Sequence, residues 1–418
     1  MSKNRFDVDR HPGRPKILFV GLADSSHTHA WINLLEGARF NARLFAMPSG
    51  VPPSGWNVPT YVTAYHHGQR LDAATRSALH SALPVVRFAN RSLRRLLRGN
   101  EGAEGGAAGA WLARIIRGWR PDIVHTLGVE PAGEFYYGVR RKYRLEGIGK
   151  WVLQTRGGSD LALTHLNPSL RETLGAMLRE CDQMLCDNHE NFRIAREFGV
   201  REEQFSPIAP VPGTGGIDTE ASAQTRALAP SSRRLILWPK AYECPWSKSL
   251  PVLEALKLCW EQIQPCEIEM LSIDAETRSW YFALPEQIRQ ACRMHNRVKH
   301  ERVMEMMSAA RVMLAPSLID GVPNSMYEAM AAGAFPIVSP LETIRPVVEE
   351  GRNVLFARNL YPAEIASALV RAMTDDALVE EAATQNLTLV RRVADRAQVR
   401  PRVIDFYEKL AAEAARTD

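Results

Sequence analysis

Apolar residues in this chain gather in short dense runs, and stretches with helical spacing separate the runs. KILFVG (Lys16–Gly21) is a six-residue apolar run that stops at glycine, which predicts a buried strand. HTHAWINLLEG (residues 27–37) follows with apolar positions three and four apart and a closing glycine, which predicts a helix. ARLFAM (residues 42–47) predicts a second strand. Strand, helix and strand within about 35 residues form a βαβ unit, and such units imply a parallel sheet. Residues 122–127 (DIVHTL), 150–155 (KWVLQT) and 183–187 (QMLCD) predict three more strands with helical segments between them.

Beyond Pro210 the composition turns to Gly, Pro, Ser and Ala, and a hinge is expected near residues 212–232. A second α/β series follows. Its strands are predicted at residues 234–238, 267–271, 311–315 and 335–339, its helices at 250–263, 301–310 and 324–333. PRVIDFYEKLAAEAA (residues 401–415) reads as one amphipathic helix. No internal repeat links the two halves. The expected organisation is a loose tail (1–15), a first Rossmann-like domain (16–215), a second (216–397) and a C-terminal helix (398–418) packing back on the first. Sheets of this kind bind ligands at the carboxyl ends of their strands, so two such domains face each other across a cleft.

Composition narrows the class. The 418 residues are 45% hydrophobic and 24% charged, ordinary for a globular protein able to bury large cores. No apolar run approaches the ~18–20 residues of a membrane span. The first fifteen residues lack the apolar core of a secretory signal, so a cytoplasmic protein is expected, with the inner face of the membrane as an alternative setting. The six cysteines form no CxxC pair, which favours reduced thiols over a zinc or redox motif. The net charge of +5 permits an anionic partner. Residues 85–98 interleave Arg87, Arg91, Arg94, Arg95 and Arg98 with Val85, Phe88, Leu93 and Leu96. This pattern suits either a peripheral contact with anionic lipid or a helix with a solvated basic face. Nucleic acid is not expected, because no aromatic platform accompanies the arginines.

The most informative stretch is APSLIDGVPNSMYEAMAAGAFPIVS, residues 315–339. A strand runs into a turn at Asp320-Gly321, Pro323 stands at a helix start, Glu328 lies about one turn inside, and Gly333 closes the helix. A helix N-terminus beside a glycine is a ready anion site. Asp320 and Glu328 can accept hydrogen bonds from sugar or ribose hydroxyls. The stretch resembles the E-x7-E region of retaining GT-B glycosyltransferases, above all family 4, whose pattern is close to PSxxEGxPxxxxEAMAxGxPVV. The spacing from Asp320 to Glu328 matches, with Asp320 standing where the family usually has Glu. The resemblance implies an α/β GT-B fold, two Rossmann-like doubly wound domains facing a central cleft. It implies that Asp320 contacts the donor sugar and Glu328 the nucleotide ribose. Gly321, Val322, Pro323, Asn324 and Ser325 would complete the donor site, with Gly21 from the first domain.

Lys240, after the strand at 234–238, stands where the family usually places an Arg or Lys, and Lys248 is the candidate for its second lysine. Two cations at a strand end suit a diphosphate leaving group. Ser25, Ser26 and His27 begin the helix after the first strand, and His27 either meets the acceptor or caps the helix. QTRGGSDL (residues 154–161) resembles the family's HGSD-like loop without its His, leaving Asp160 to contact the acceptor, to act in positioning, or simply to make a turn. His125 reads as an acceptor contact at a strand end or as a buried histidine. VPGTGGID (residues 211–218) resembles a family turn at the end of the first domain, and the first loop lacks GxGxxG, against a dinucleotide site. Asp7-Val8-Asp9, the only DxD, lies in the tail, so no metal site is expected.

The resemblance therefore implies a retaining, metal-independent glycosyltransferase without a cofactor. It would move a sugar from a nucleotide-sugar donor to a saccharide or lipid-linked acceptor, in cell-surface polysaccharide or glycoconjugate biosynthesis. The alternatives are a non-catalytic sugar- or nucleotide-binding relative and a GT-B nucleotide-sugar epimerase.

Overall fold

The computed structural model describes residues 6, 8–47, 50–62, 75–77, 106–226, 228–296 and 298–417. The basic segment at residues 85–98 lies outside them, as does Asp7.

The first sheet has seven parallel strands in the order β4-β3-β2-β1-β5-β6-β7. They are β1 (Lys16–Gly21), β2 (Asn41–Ala46), β3 (Thr60–Val62), β4 (Thr75–Ser77), β5 (Ile123–Leu127), β6 (Lys150–Gln154) and β7 (Gln183–Leu185). The second has six parallel strands in the order β10-β9-β8-β11-β12-β13. These are β8 (Leu235–Trp238), β9 (Glu267–Leu271), β10 (Cys292–His295), β11 (Ala310–Ala315), β12 (Phe335–Val338) and β13 (Leu355–Phe356). All five residues of β5 and all six of β11 are buried. That follows from helices on both faces of each sheet and explains why these strands read as unbroken apolar runs. Strand order reverses between β1 and β5 in one sheet and between β8 and β11 in the other. Ligand crevices open at such switch points.

The crossover between domains is short. Gly215 and Gly216 take positive φ, and a side chain at either would meet Leu34 or the Ala394 carbonyl. Ile217 then pairs with the returning chain, donating to Ala394 O at 2.9 Å and accepting from Arg396 N at 2.8 Å. The stretch expected as a hinge up to residue 232 is mostly structured. The Asp218 carboxylate caps the helix Thr219–Gln224 through Ala221 N–H at 2.9 Å.

The C-terminal helix begins five residues before Pro401, at Arg396, and runs to Thr417. It lies on the first domain, where Val399, Val403, Phe406 and Tyr407 join the core formed by Ile17, Phe19 and Trp31. Arg396 and Arg400, ahead of the proline, donate to the carbonyls of Ala30 and Leu34.

The tail expected to be loose is pinned over its described part. Phe6 is buried against Tyr61, with ring centroids 4.9 Å apart. Asp9 lies 3.3 Å from both Lys16 Nζ and Arg43 Nη2 and accepts from Trp119 Nε1 at 2.8 Å. Asp9 is thereby neutralised far from the strand ends and is not a metal ligand of the cleft. Three partners for one half-buried carboxylate hold this stretch in place.

Candidate functional site

In the second domain, the loop after β11 is built from backbone hydrogen bonds. Leu318 N–H donates to the Trp246 carbonyl at 2.8 Å and Ser317 N–H to Ser339 Oγ at 3.1 Å. Asn359 ties three strands of chain together, accepting from Lys248 N–H and donating to the carbonyls of Lys248 and Pro316, each at 3.0 Å. Thr343 Oγ1 donates to Asp320 O at 2.8 Å. This scaffold presents Asp320 to Lys240, two residues beyond β8, and their side chains form a close ion pair. Burial alone would lower the Lys240 pKa; the Asp320 carboxylate outweighs it and holds the ammonium above its ordinary value.

The helix Asn324–Ala332 starts at Pro323 and ends on Gly333 in the left-handed region. Asn324 Oδ1 accepts from Thr214 Oγ1 at 3.0 Å, which fixes the helix start against the crossover. The hydroxyls of Ser325 and Ser317 are buried without a hydrogen-bond partner among the described residues. Unpartnered buried hydroxyls suit a polar ligand. Glu328 is mostly buried, and its carboxyl lies 3.7 Å from His300 Nε2. Burial pushes its pKa up and His300 opposes the shift. Val322 is buried in the core.

Lys248 is held apart from this pair. Its ammonium lies 3.2 Å from Glu243 Oε1, and Glu243 also accepts from Ser249 N–H at 2.7 Å. The two candidate lysines thus sit on different carboxylates.

Across the cleft, a cavity of about 510 Å³ lies at the carboxyl ends of β1, β5 and β6. Ser25, His27, Arg156 and Asp160 line it from the first domain, and Trp246 reaches it from the second. The enclosing cleft pushes the His27 pKa down to about 4, helped by the charges of Arg156 and Lys240 and opposed by Asp320. His27 is therefore neutral at pH 7 and close enough to feel both sides of the cleft.

The remaining first-domain expectations need correction. Asp160 borders the cavity, but its carboxylate accepts from Val129 N–H at 2.9 Å, Glu130 N–H at 3.1 Å and Arg156 N–H at 2.8 Å. Those bonds tie two strand-end loops together, the positioning role that the sequence left open for Asp160. Burial raises its pKa to about 6 against these donors. His125 is fully buried mid-strand, with Nδ1 2.6 Å from the Tyr407 hydroxyl under the C-terminal helix, and cannot reach a ligand in the cleft. Gly21 is buried, and a side chain there would press on Leu127 at 3.1 Å, so its role is packing rather than donor contact. Ser26 is exposed and does not line the cavity.

Four residues outside these expectations shape the site. Asp187, two residues beyond β7, accepts from Gly157 N–H at 3.0 Å and from Asn188 Nδ2 at 2.7 Å. Burial pushes its pKa up to about 7, with Asp320 adding to the rise. Arg156, Trp246 and His300 are the others. The strand-end rule that picked Lys240 also reaches Asp187 and Arg156. Trp246 and His300 carry no such signal.

Among the described residues no group of three His, Cys, Asp or Glu is placed to hold a metal ion, and no helix is long and apolar enough to cross a membrane.

Residues 249–375 match the family model described as Glycosyl transferases group 1. No curated protein matches the chain. Several solved structures share its architecture. The Anabaena Alr3699/HepE structure in complex with UDP and glucose has a TM-score of 0.64 at 12% identity, covering 94% of this chain and 99% of that one. Sucrose-phosphate synthase from Thermosynechococcus elongatus has a TM-score of 0.65 at 15% identity, covering 96% and 100%. The α,α-trehalose 6-phosphate synthase from Burkholderia multivorans has a TM-score of 0.63 at 13% identity, covering 96% and 99%. At these identities the likeness establishes the fold, and the family match covers the part of the second domain that carries Asp320 and Glu328. The chain thus has the two-domain GT-B fold of these structures, and residues 249–375 of its second domain match the Glycosyl transferases group 1 model.

Proposed function

We propose that this chain is a retaining, metal-independent glycosyltransferase that moves a sugar from a nucleotide-sugar donor to a hydroxyl of a saccharide or lipid-linked acceptor. The observation that carries the reading is the Lys240–Asp320 ion pair at the switch point of the second sheet, facing His27 of the first. The related HepE structures contain UDP and UDP-glucose, which supports a nucleotide-sugar donor here.

On this reading Glu328, at the helix Asn324–Ala332, accepts the ribose hydroxyls. The donor diphosphate takes Lys240 from Asp320, which frees the Asp320 carboxylate for hydroxyls of the donor sugar. The ammonium and the helix start stabilise charge as it grows on the leaving phosphate. The anomeric carbon–oxygen bond to that phosphate breaks, and the acceptor oxygen bonds to the same carbon on the same face. The acceptor's proton passes to the departing phosphate oxygen. No protein carboxylate is required as base.

The test is product stereochemistry. Transfer with excess EDTA, followed by proton NMR of the new anomeric centre, should give product with the donor's configuration. Inversion, or activity abolished by EDTA and restored by a divalent cation, would refute the retaining or metal-independent part respectively.

A further inference from the structure

The cavity at the ends of β1, β5 and β6 holds a cation that has no carboxylate partner among the described residues. Arg156 is largely enclosed by the protein. Its guanidinium bonds only to neutral oxygens, with Nη2 3.2 Å and Nε 3.4 Å from Gln154 Oε1 and Nη1 3.5 Å from Thr28 Oγ1. Among the described residues no carboxylate lies within 4.0 Å of it. Asp160 comes near, but its oxygens already receive three backbone N–H groups. Glu130 stands exposed at the rim. Guanidinium carries five N–H donors in a planar fork, and these bonds engage three. Enclosing such a cation without an anion is costly, and burial lowers the pKa of Arg156 to about 10 against the pull of Asp160, which leaves it charged at neutral pH.

A second observation bears on the same space. Trp246 projects from the second domain, is 42% exposed, and forms one wall of the cavity. Its carbonyl holds Leu318 N–H in the loop that leads to Asp320. The indole thus walls the cavity from the side of the second domain, where it offers an aromatic face to a ring. Leu22, Leu127, Leu163 and Leu170 supply apolar walls. Lys240, Asp320 and Glu328 do not line it, and its His27 lies within electrostatic reach of Lys240 and Asp320.

We infer that this cavity binds an acceptor saccharide carrying an anionic group, a carboxylate or a phosphate, with the anion on Arg156 and a ring face on Trp246. The inference rests on the proposed function, in that the first domain takes the acceptor, and adds the acceptor's charge class. A fork donor on a carboxylate or phosphate makes charge-assisted bonds that a hydroxyl does not match. The discrimination expected against a neutral analogue is about tenfold to a hundredfold in affinity.

The experiment titrates the full chain with three probes, methyl glucoside, methyl glucuronide and glucose 6-phosphate, and separately with UDP, GDP and ADP, following thermal unfolding. At least one anionic sugar should stabilise the protein with saturation about tenfold or more below that of methyl glucoside. The better of the two names the anion. R156Q should remove that preference, R156K should keep part of it, and W246A should weaken neutral and anionic sugars alike. The nucleotide response should persist in R156Q. Equal binding of neutral and anionic sugars, or an unchanged preference in R156Q, would overturn the inference. Loss of the nucleotide response in R156Q with anionic-sugar binding intact would assign Arg156 to the donor diphosphate and overturn it too. A wild-type chain that binds anionic sugars through Arg156 but no nucleotide would refute the proposed function and leave the anion site standing.

Discussion

Gly321 of the second domain abuts Asp187 of the first. A methyl group on Gly321 would sit 2.7 Å from Asp187 Oδ2 and 2.8 Å from Gly157 Cα, both closer than real contacts allow. The donor loop and the end of the first sheet therefore touch through backbone. A glycine is required here for room, since its φ is not in the left-handed region.

Gly321→Ala should hold the domains apart at this contact while leaving each core intact. A displacement of about an ångström at a reacting centre can cost about a hundredfold in rate. Steady-state transfer should fall by about ten- to a hundredfold with little change in thermal stability. Full activity in the variant would show that the contact plays no part in closing the site.

The same contact predicts a pH dependence. Burial, with Asp320 opposite, holds the Asp187 carboxyl near 7, well above the ordinary carboxylate value of 3.8. A raised carboxyl pKa means the protonated form suits the fold, so its contribution is fully present below about pH 4 and is lost as pH rises through about 7. Stability should fall across that window, with Asp160 adding a change of the same sign. Asp187→Asn keeps an acceptor for Gly157 N–H and removes one titration. Urea unfolding at pH 5 and pH 8 should show a smaller loss in the variant, by on the order of 1–3 kcal/mol. An identical loss in both proteins would place Asp187 outside the linkage.

Tyr407 locks the C-terminal helix to the first domain. Its hydroxyl accepts from Trp31 Nε1 at 2.9 Å and meets His125 Nδ1 at 2.6 Å, all within the core. Tyr407→Phe leaves two buried polar groups short of a partner, which should cost about 1–3 kcal/mol in chemical unfolding. Nucleotide affinity should be unchanged, since the helix lies away from the donor loop. A variant of full stability would show that water or a rearranged His125 replaces the hydroxyl.

Lys240 is placed to act on the leaving phosphate. Lys240→Ala should lower kcat by about a hundred- to a thousandfold, comparable to removing one donor aimed at a developing anion. KM for the donor should rise as well, because the ammonium also holds the ground-state diphosphate. A loss confined to KM would make Lys240 a ground-state anchor.

The inner strands were legible because they are buried and read as apolar runs, whereas β3 (TYV), β4 (TRS), β10 (CRMH) and β13 (LF), very short or carrying polar residues, were not. The helix Leu250–Ile263 matches its sequence-based limits at both ends. The donor loop was legible because Asp320, Gly321, Pro323, Glu328 and Gly333 are close together in sequence and each meets a local need. The acceptor side was not, since its contacts join distant segments. His125 looked like a strand-end residue until Tyr407, 282 positions away, covered it. Asp160 looked available until three N–H groups claimed it. The tail looked loose because its partners, Arg43 and Trp119, lie far along the chain. Trp246 acquires meaning only when the second domain is set against the first.

The most direct test of the donor site is thermal unfolding of the purified chain with UDP-, GDP- and ADP-sugars in EDTA. A ligand that binds the folded state raises its stability with occupancy. One nucleotide class should stabilise the wild type, and Glu328→Ala and Lys240→Ala should each abolish most of the shift. A shift that survives both substitutions, or no shift with any nucleotide sugar, would contradict a donor held by Glu328 and Lys240.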